Sequence, residues 1–286
     1  MDGIIIINKP KNYTSHDIVR KAKKLLNEKV GHTGTLDPNA TGVLPLLIGK
    51  GTLLSKYLIE HDKIYEAVLK LGEKTDTADG EGKVLESQNV EQSILKKENI
   101  ERIFNNLEGK QEQIPPMYSA IKLNGKKLYE YARKGIEVEV KPRTIEIYKL
   151  ELIKIEDMEI IFRVSCSKGT YIRTLCEKIA EELGTIGYMK ELKRIQVGEF
   201  NIKDSITIEE LENQEIVSNK FITIEKYFSN YENIVLNERK FQLFLNGVKI
   251  TQNQENDIYR IYDKNEKFIG IGIVQDKLLK RDIILD

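Results

Sequence analysis

Residues 31–49 read GHTGTLDPNATGVLPLLIG, and Asp37 is the one acid among these nineteen residues. A lone carboxylate in a loop of glycine, threonine and proline is a candidate nucleophile or general base. Gly31, Gly34 and Gly42 permit positive φ or a close backbone approach, and Pro38 biases Asp37 away from helical φ/ψ, so the loop can hold the acid in one attitude. His32 stands five residues upstream. The same Asp-Pro pair is also a good helix start, with Asp37 as N-cap and Pro38 as first helical residue. The aliphatic run 43–48 favours the site reading, because a buried anchor behind a glycine-rich loop can position a reactive group. Further side chains of interest are Tyr65 after Asp62-Lys63-Ile64, Tyr171 and Arg173 in SKGTYIR, and Leu192 and Arg194 in LKRIQVG.

The elements that must position these groups are suggested by periodicity. Residues 4–7 form an all-isoleucine strand, and residues 65–71 alternate, with Tyr65, Ala67, Leu69 and Leu71 on one side. A helix is predicted over 15–29 with Ser15 as cap, a second over 93–107, and a third over 172–183 ended by Gly184. Arg173 falls in the first turn of the third, where the helix dipole disfavours a cation; either an anionic partner compensates or the long stem swings into water. Residues 144–155 and 158–166 read as long strands, and Asn124-Gly125 as a hairpin turn. The following KKLYEYARKG suits an RNA-gripping loop or a polar helix. After a linker-like stretch at 228–233, a helix at 237–245 and strands at 258–262, 268–274 and 278–285 make a small β-rich unit docked on the rest. Without a regular βαβ rhythm, the fold class is α+β, with a mixed or antiparallel sheet.

Composition narrows the function. The chain has 286 residues, net charge zero, two cysteines and three histidines. Cys166 and Cys176 lack CxxC spacing and the histidines lack HExxH spacing, so the expectation is no metal. No apolar run approaches a membrane span and no export signal is seen, which places the expected location in the cytoplasm. Residues 9–32 carry seven basic and two acidic side chains, and residues 204–238 eight acidic and two basic. Segregation of this kind can offer a positive face to RNA although the total cancels. Gly49-Lys50-Gly51-Thr52 is not a phosphate loop, and TDTADGEGK puts threonines where a calcium loop needs carboxylates, leaving a turn-rich connector.

GHTGTLDPNATGVLPLLIG, DKIY at 62–65, IPPMYSAIKLNGKKLYEYARKGIEV at 114–138 and SKGTYIR at 167–173 together resemble, in order and over nearly the whole chain, the TruB family of bacterial tRNA pseudouridine synthases. The resemblance implies a pseudouridine synthase domain over residues 1–230, built on a mixed, mainly antiparallel sheet, and a PUA-like RNA-binding domain over 231–286. It makes Asp37 the catalytic aspartate, Tyr65 the ring that stacks on the target uracil and Arg173 the partner of Asp37. Tyr171 and Leu192 would line the base pocket, and His32 would fill the space left in the RNA loop. Lys9 and Pro10 would support the glycine-rich loop. The implied substrate is uridine at position 55 of the tRNA T loop, and the implied partner is the T stem-loop, bound by a monomer. Moving uracil from an N- to a C-glycosidic bond involves no redox change, so no cofactor is expected. The rival expectation is a non-catalytic protein that binds and remodels tRNA, with Asp37 only a cap.

Overall fold

The computed structural model describes residues 1–285. The strands of the main sheet are β1 (Gly3–Lys9), β2 (Val30–His32), β3 (Thr41–Ile48), β4 (Lys63–Leu71) and, after a small hairpin of β5 (Glu73–Thr75) and β6 (Val84–Ser87), β7 (Gly109–Gln113), β8 (Arg143–Glu156), β9 (Glu159–Cys166), β10 (Gly187–Val197) and β11 (Ile222–Thr223). Their order is β11-β1-β3-β10-β4-β9-β8-β7, with β2 beside β3 and a further two-residue strand, Phe200–Asn201, beside β10. One of these contacts, β10 with β3, is parallel, and the others are antiparallel. The sheet is therefore mixed and mainly antiparallel, on an α+β fold.

Local chemistry accounts for the strands nearest the site. Every second residue of β4 from Lys63 to Leu71 is buried, as a strand with one covered face requires. Helices α2 (Lys97–Leu107) and α3 (Ile172–Glu182) cover that face, and Phe104, Ile179, Leu69 and Phe162 share one apolar cluster. The four isoleucines of β1 are at most 1% exposed because both faces are covered. Ile5 and Ile7 pack against helix α1 (Ser15–Leu26), whereas Ile4 and Ile6 meet a cluster that includes Ile271 and Ile283.

Several expectations need correction. Thr14, not Ser15, caps α1, closing a capping box with Asp17, and the helix ends at Leu26 because Asn27 turns left-handed at φ 52°. The helix expected over 93–107 is split: a short 3-10 turn, Gln92–Leu95, precedes α2, and Lys96 between them is extended. The stretch at 228–233 is no loose linker, for Phe228 is fully buried against Tyr57 and Tyr231. The basic and acidic stretches lie side by side, for Ile18, Val19 and Ala22 of α1 share a cluster with Ile206, Ile208 and Leu211, which tempers the positive face expected from their segregation.

Beyond residue 232 a second sheet is formed by β12 (Asn233–Val235), β13 (Ile250–Thr251), β14 (Asp257–Tyr262), β15 (Phe268–Gln275) and β16 (Leu278–Ile284), in the order β12-β14-β15-β16-β13. Helix α4 (Glu238–Leu245), capped by Asn237, packs Phe244 into its core. No helix among the described residues is long and apolar enough to cross a membrane.

Candidate active site

Asp37 is not a helix cap. Residues 37–40 form a turn closed by the Ala40 amide on the Asp37 carbonyl at 3.1 Å, and the chain then enters β3. A helix begun at Pro38 would meet Gly42 and Pro45 within its first turns, at costs of about 1 and about 3 kcal/mol. As a strand the same residues bury their aliphatic run against β1, and Pro45 falls between the pairings of β3 with β10 and with β2, where a missing N–H is tolerated.

The loop is pinned along its length. Ser15, displaced from the capping role, accepts from the Leu36 amide at 2.9 Å and donates to the Leu36 carbonyl at 3.1 Å. The Lys9 ammonium, fully buried, donates to the carbonyls of Pro10, Tyr13 and Pro38 at 2.9, 2.7 and 3.0 Å. Burial pulls the Lys9 pKa down to about 8, against the opposing pull of Asp37. Arg194 donates to the Gly34 and Val43 carbonyls at 2.9 and 2.8 Å. Gly34 and Gly42 need their positive φ of 77° and 104°, whereas Gly31 requires neither positive φ nor close approach.

Arg173 does meet anions. Its Nη2 stands 3.3 Å from Asp37 Oδ2 and its Nη1 3.5 Å from Asp79 Oδ2. It also donates to the carbonyls of Thr77 and Tyr118 at 3.3 and 2.8 Å. Two carboxylates and two carbonyls outweigh the unfavourable helix terminus. The carboxylates differ in access: the Asp37 side chain is 38% exposed and that of Asp79 only 11%. Asp79 is also saturated, its Oδ1 accepting from Thr77 Oγ1 at 2.6 Å and from the Glu81 amide at 3.1 Å. Asp37 accepts no such bond among the described residues, so its oxygens are available. Burial pushes the Asp37 carboxyl up, and Arg173 opposes the shift more than any other group.

Asp37 opens into a cavity of about 100 Å³ lined by Leu36, Tyr65, Tyr171, Arg173, Met189 and Leu192, among others. This is far below the roughly 300–1,000 Å³ of drug and cofactor pockets and suits a single planar ring. Tyr65 lies on the covered face of β4, 8% exposed, its phenol pKa raised by burial. Tyr171 precedes the first residue of α3, where the Gln113 side chain grips its backbone from both sides: Oε1 accepts from the amide at 2.8 Å and Nε2 donates to the carbonyl at 3.0 Å.

The structure thus brings Asp37, Tyr65, Tyr171, Arg173 and Leu192 to one cavity and leaves His32, Lys9, Pro10 and Arg194 outside it. His32 sits on β2 with Nδ1 buried and unpartnered among the described residues, its pKa lowered by burial. Lys9 and Pro10 lie behind the loop, lining a separate depression with Thr41 and Lys193. Sequence reasoning missed Asp79, Gln113 and the clamp of Ser15. The supposed connector TDTADGEGK is a hairpin tip that delivers Asp79, and its one available signal was an aspartate among turn residues that bond their own backbone.

The chain is similar to known proteins along nearly its whole length. Three family models match consecutive stretches: TruB family pseudouridylate synthase (N terminal domain) over residues 22–172, tRNA pseudouridylate synthase B C-terminal domain over 173–232, and pseudouridine synthase II TruB, C-terminal, over 233–280. The tRNA pseudouridine synthase B of Clostridium kluyveri is 46% identical over 283 residues, covering 96% of each chain. That of Bacillus cereus is 42% identical over 285 residues, covering 95% of this chain and 92% of the relative. Among solved structures, a chain of a Cbf5-Nop10-Gar1 complex superposes with a TM-score of 0.70 at 25% identity, covering 99% of this chain and 83% of that one.

Proposed function

The chain belongs to the TruB family of pseudouridylate synthases, and from that premise we propose that Asp37 drives the rearrangement of a uridine at position 55 in the T loop of tRNA. The activity is isomerisation of uridine to pseudouridine in tRNA. The bond from ribose C1′ to uracil N1 breaks, the freed ring turns, C1′ joins C5, the C5 proton is lost to solvent and N1 takes up a proton in its place. Electrons and atoms balance without a redox partner.

One observation carries the assignment: the single reachable carboxylate of the cavity, Asp37, sits on a buried guanidinium 3.3 Å away and faces the ring-sized space beside Tyr65. In that space Asp37 is the anionic group that meets the ribose or the base, and Arg173 keeps it ionised and oriented where water is largely excluded. A stacked uridine must leave its helix or loop to enter, at a cost of a few kcal/mol. Stacking on Tyr65, about 1–3 kcal/mol, offsets much of that cost. Tyr171 and Leu192 close the pocket around the ring. His32, outside the cavity, fills the gap left in the RNA, and Lys9 with Pro10 holds the loop from behind. Loops are the natural target because their bases are already partly splayed. The unit beyond residue 230 is assigned as a PUA-like RNA-binding domain, and the enzyme acts as a monomer in the cytoplasm.

The test is release of tritium from uracil C5 of labelled tRNA by the wild type and by Asp37→Asn, with a transcript carrying cytidine at position 55 as control. The expected result is release by the wild type alone, none from the control transcript, and undiminished tRNA binding by the variant. Turnover by Asp37→Asn removes Asp37 from the chemistry. Release from the control transcript moves the target elsewhere.

A further inference from the structure

Arg194 is 1% exposed, and no carboxylate among the described residues comes within ion-pair distance of it. Burying a charge costs several kcal/mol per ion, so an unpaired guanidinium in the interior demands a reason. Its location supplies one. On β10 its backbone is in register with Gly42 of β3 on one side and with Tyr65 of β4 on the other. Its side chain then reaches back to the loop, with Nε on the Val43 carbonyl and Nη2 on the Gly34 carbonyl. These acceptors flank Asp37 in sequence, one before it and one after.

The loop glycines fit the same contact. A Cβ on Gly42 would lie 2.1 Å from the Arg194 carbonyl oxygen, and one on Gly34 would lie 3.3 Å from Nη1. Both glycines therefore let the loop close around this arginine. A lysine is a poor substitute here, since Val43 and Gly34 are held by two different nitrogens of one rigid planar fork, Nε and Nη2, whereas an ammonium carries all its donors on a single atom.

We propose that Arg194 is a positioning residue for the reaction: one buried guanidinium ties both stems of the Asp37 loop to the strand beside Tyr65 and fixes the carboxylate against the ring that receives the base. The proposal rests on the roles given above to Asp37 and Tyr65. Its charge acts too. The titratable and charged groups around Asp37 are Arg173 from α3, Tyr171 just before it, Asp79 and Glu81 from the β5–β6 hairpin, Lys9 from β1, Tyr65 from β4 and Arg194 from β10, and Arg194 is one of the cations that lower the Asp37 pKa.

The experiment uses the full chain and a labelled tRNA transcript, and measures single-turnover rate against pH, tRNA affinity and thermal midpoint for the wild type, Arg194→Lys, Arg194→Met and Gly34→Asn. Loss of the fork in Arg194→Lys lowers the rate on the order of 10²-fold, the effect of misplacing a reacting group by about 1 Å. Its tRNA affinity and the acid limb of its profile stay in place, because the charge remains. Arg194→Met shows the same loss and in addition moves the acid limb to higher pH. Gly34→Asn tolerates the positive φ, so its loss of rate reports pressure on the arginine. A wild-type rate in Arg194→Lys overturns the proposal, as does a change confined to the thermal midpoint in both arginine variants. Should neither arginine variant fold, a wild-type rate in Gly34→Asn overturns it. Failure of the functional reading is separate: it shows as no tritium release by the wild type, or as release by Asp37→Asn.

Discussion

Asp37 and Asp79 are the same functional group on the same guanidinium, and their surroundings divide the work. Asp79 is enclosed, one oxygen accepting two hydrogen bonds and the other facing Arg173, which makes it a counter-ion; Asp37 keeps its oxygens for the cavity. Because burial raises the Asp37 pKa, the folded chain holds that proton more tightly than the unfolded one. Ionising Asp37 then subtracts stability as pH rises from the ordinary carboxyl range through its folded value. Asp37→Asn removes this penalty, so the variant should unfold at higher temperature than the wild type at neutral pH, with the gain vanishing in acid. Calorimetry at two pH values checks the sign. Arg173→Lys should do the opposite. A point charge cannot serve two carboxylates and two carbonyls at once, and a buried carbonyl left without its donor costs about 1–3 kcal/mol. The expected outcome is a lower thermal midpoint together with a rate loss on the order of 10²-fold. A near-normal single-turnover rate would remove Arg173 from the site.

At the scale of elements, the start of α3 depends on β7, a strand remote in sequence. Gln113 holds the Tyr171 backbone on both sides, and the helix carries Arg173 two residues later. Gln113→Leu leaves the Tyr171 amide without an acceptor, a loss of about 1–3 kcal/mol. Lower turnover with an unmoved acid limb is expected, since no charge changes; an unchanged rate would show that α3 is positioned without β7. This dependence was not legible in the sequence, whereas α3 itself was, from its apolar stripe and Gly184. The alternation of β4 likewise announced which side Tyr65 faces. Local patterns report which face of an element is buried, but not which strand lies beside it. Nothing local says that β10 runs between β3 and β4, and so nothing local put Arg194 in line with Gly42 and Tyr65. The same limit explains Ser15 and Asp79. Thr14 and Ser15 both suit a cap, and the losing hydroxyl found its use on Leu36, twenty-one residues away. Asp79 looked like a turn residue because it is one, and its second role needs a helix some ninety residues on.

At the scale of the molecule, the two sheets are joined by a mixed apolar and charged seam. Ile4, Ile6, Phe200 and Phe228 from the first part pack with Ile271 and Ile283 from the second. Across this seam Tyr57 donates to Asp282 Oδ2 at 2.6 Å, and Lys56 pairs with the other oxygen of the same carboxylate. The Asp282 side chain is only 11% exposed, so this hydrogen bond is charge-assisted and shielded. Bonds of that kind contribute about 1.5–3 kcal/mol, enough to bias a small unit between docked and free states. The ring of Tyr57 also packs edge-on against Phe228 at 5.1 Å, so Tyr57→Phe removes the hydroxyl while keeping the apolar contact. The expected result is faster hydrogen exchange in β14, β15 and β16 with that of β4 and β9 unchanged. If the second unit adds contacts to RNA beyond the T loop, KM for intact tRNA rises in Tyr57→Phe while KM for an isolated T stem-loop does not. Equal rises on both substrates would mean that the hydroxyl supports the catalytic sheet rather than the docking of its neighbour. No change in exchange would mean that the apolar seam holds the two parts together alone.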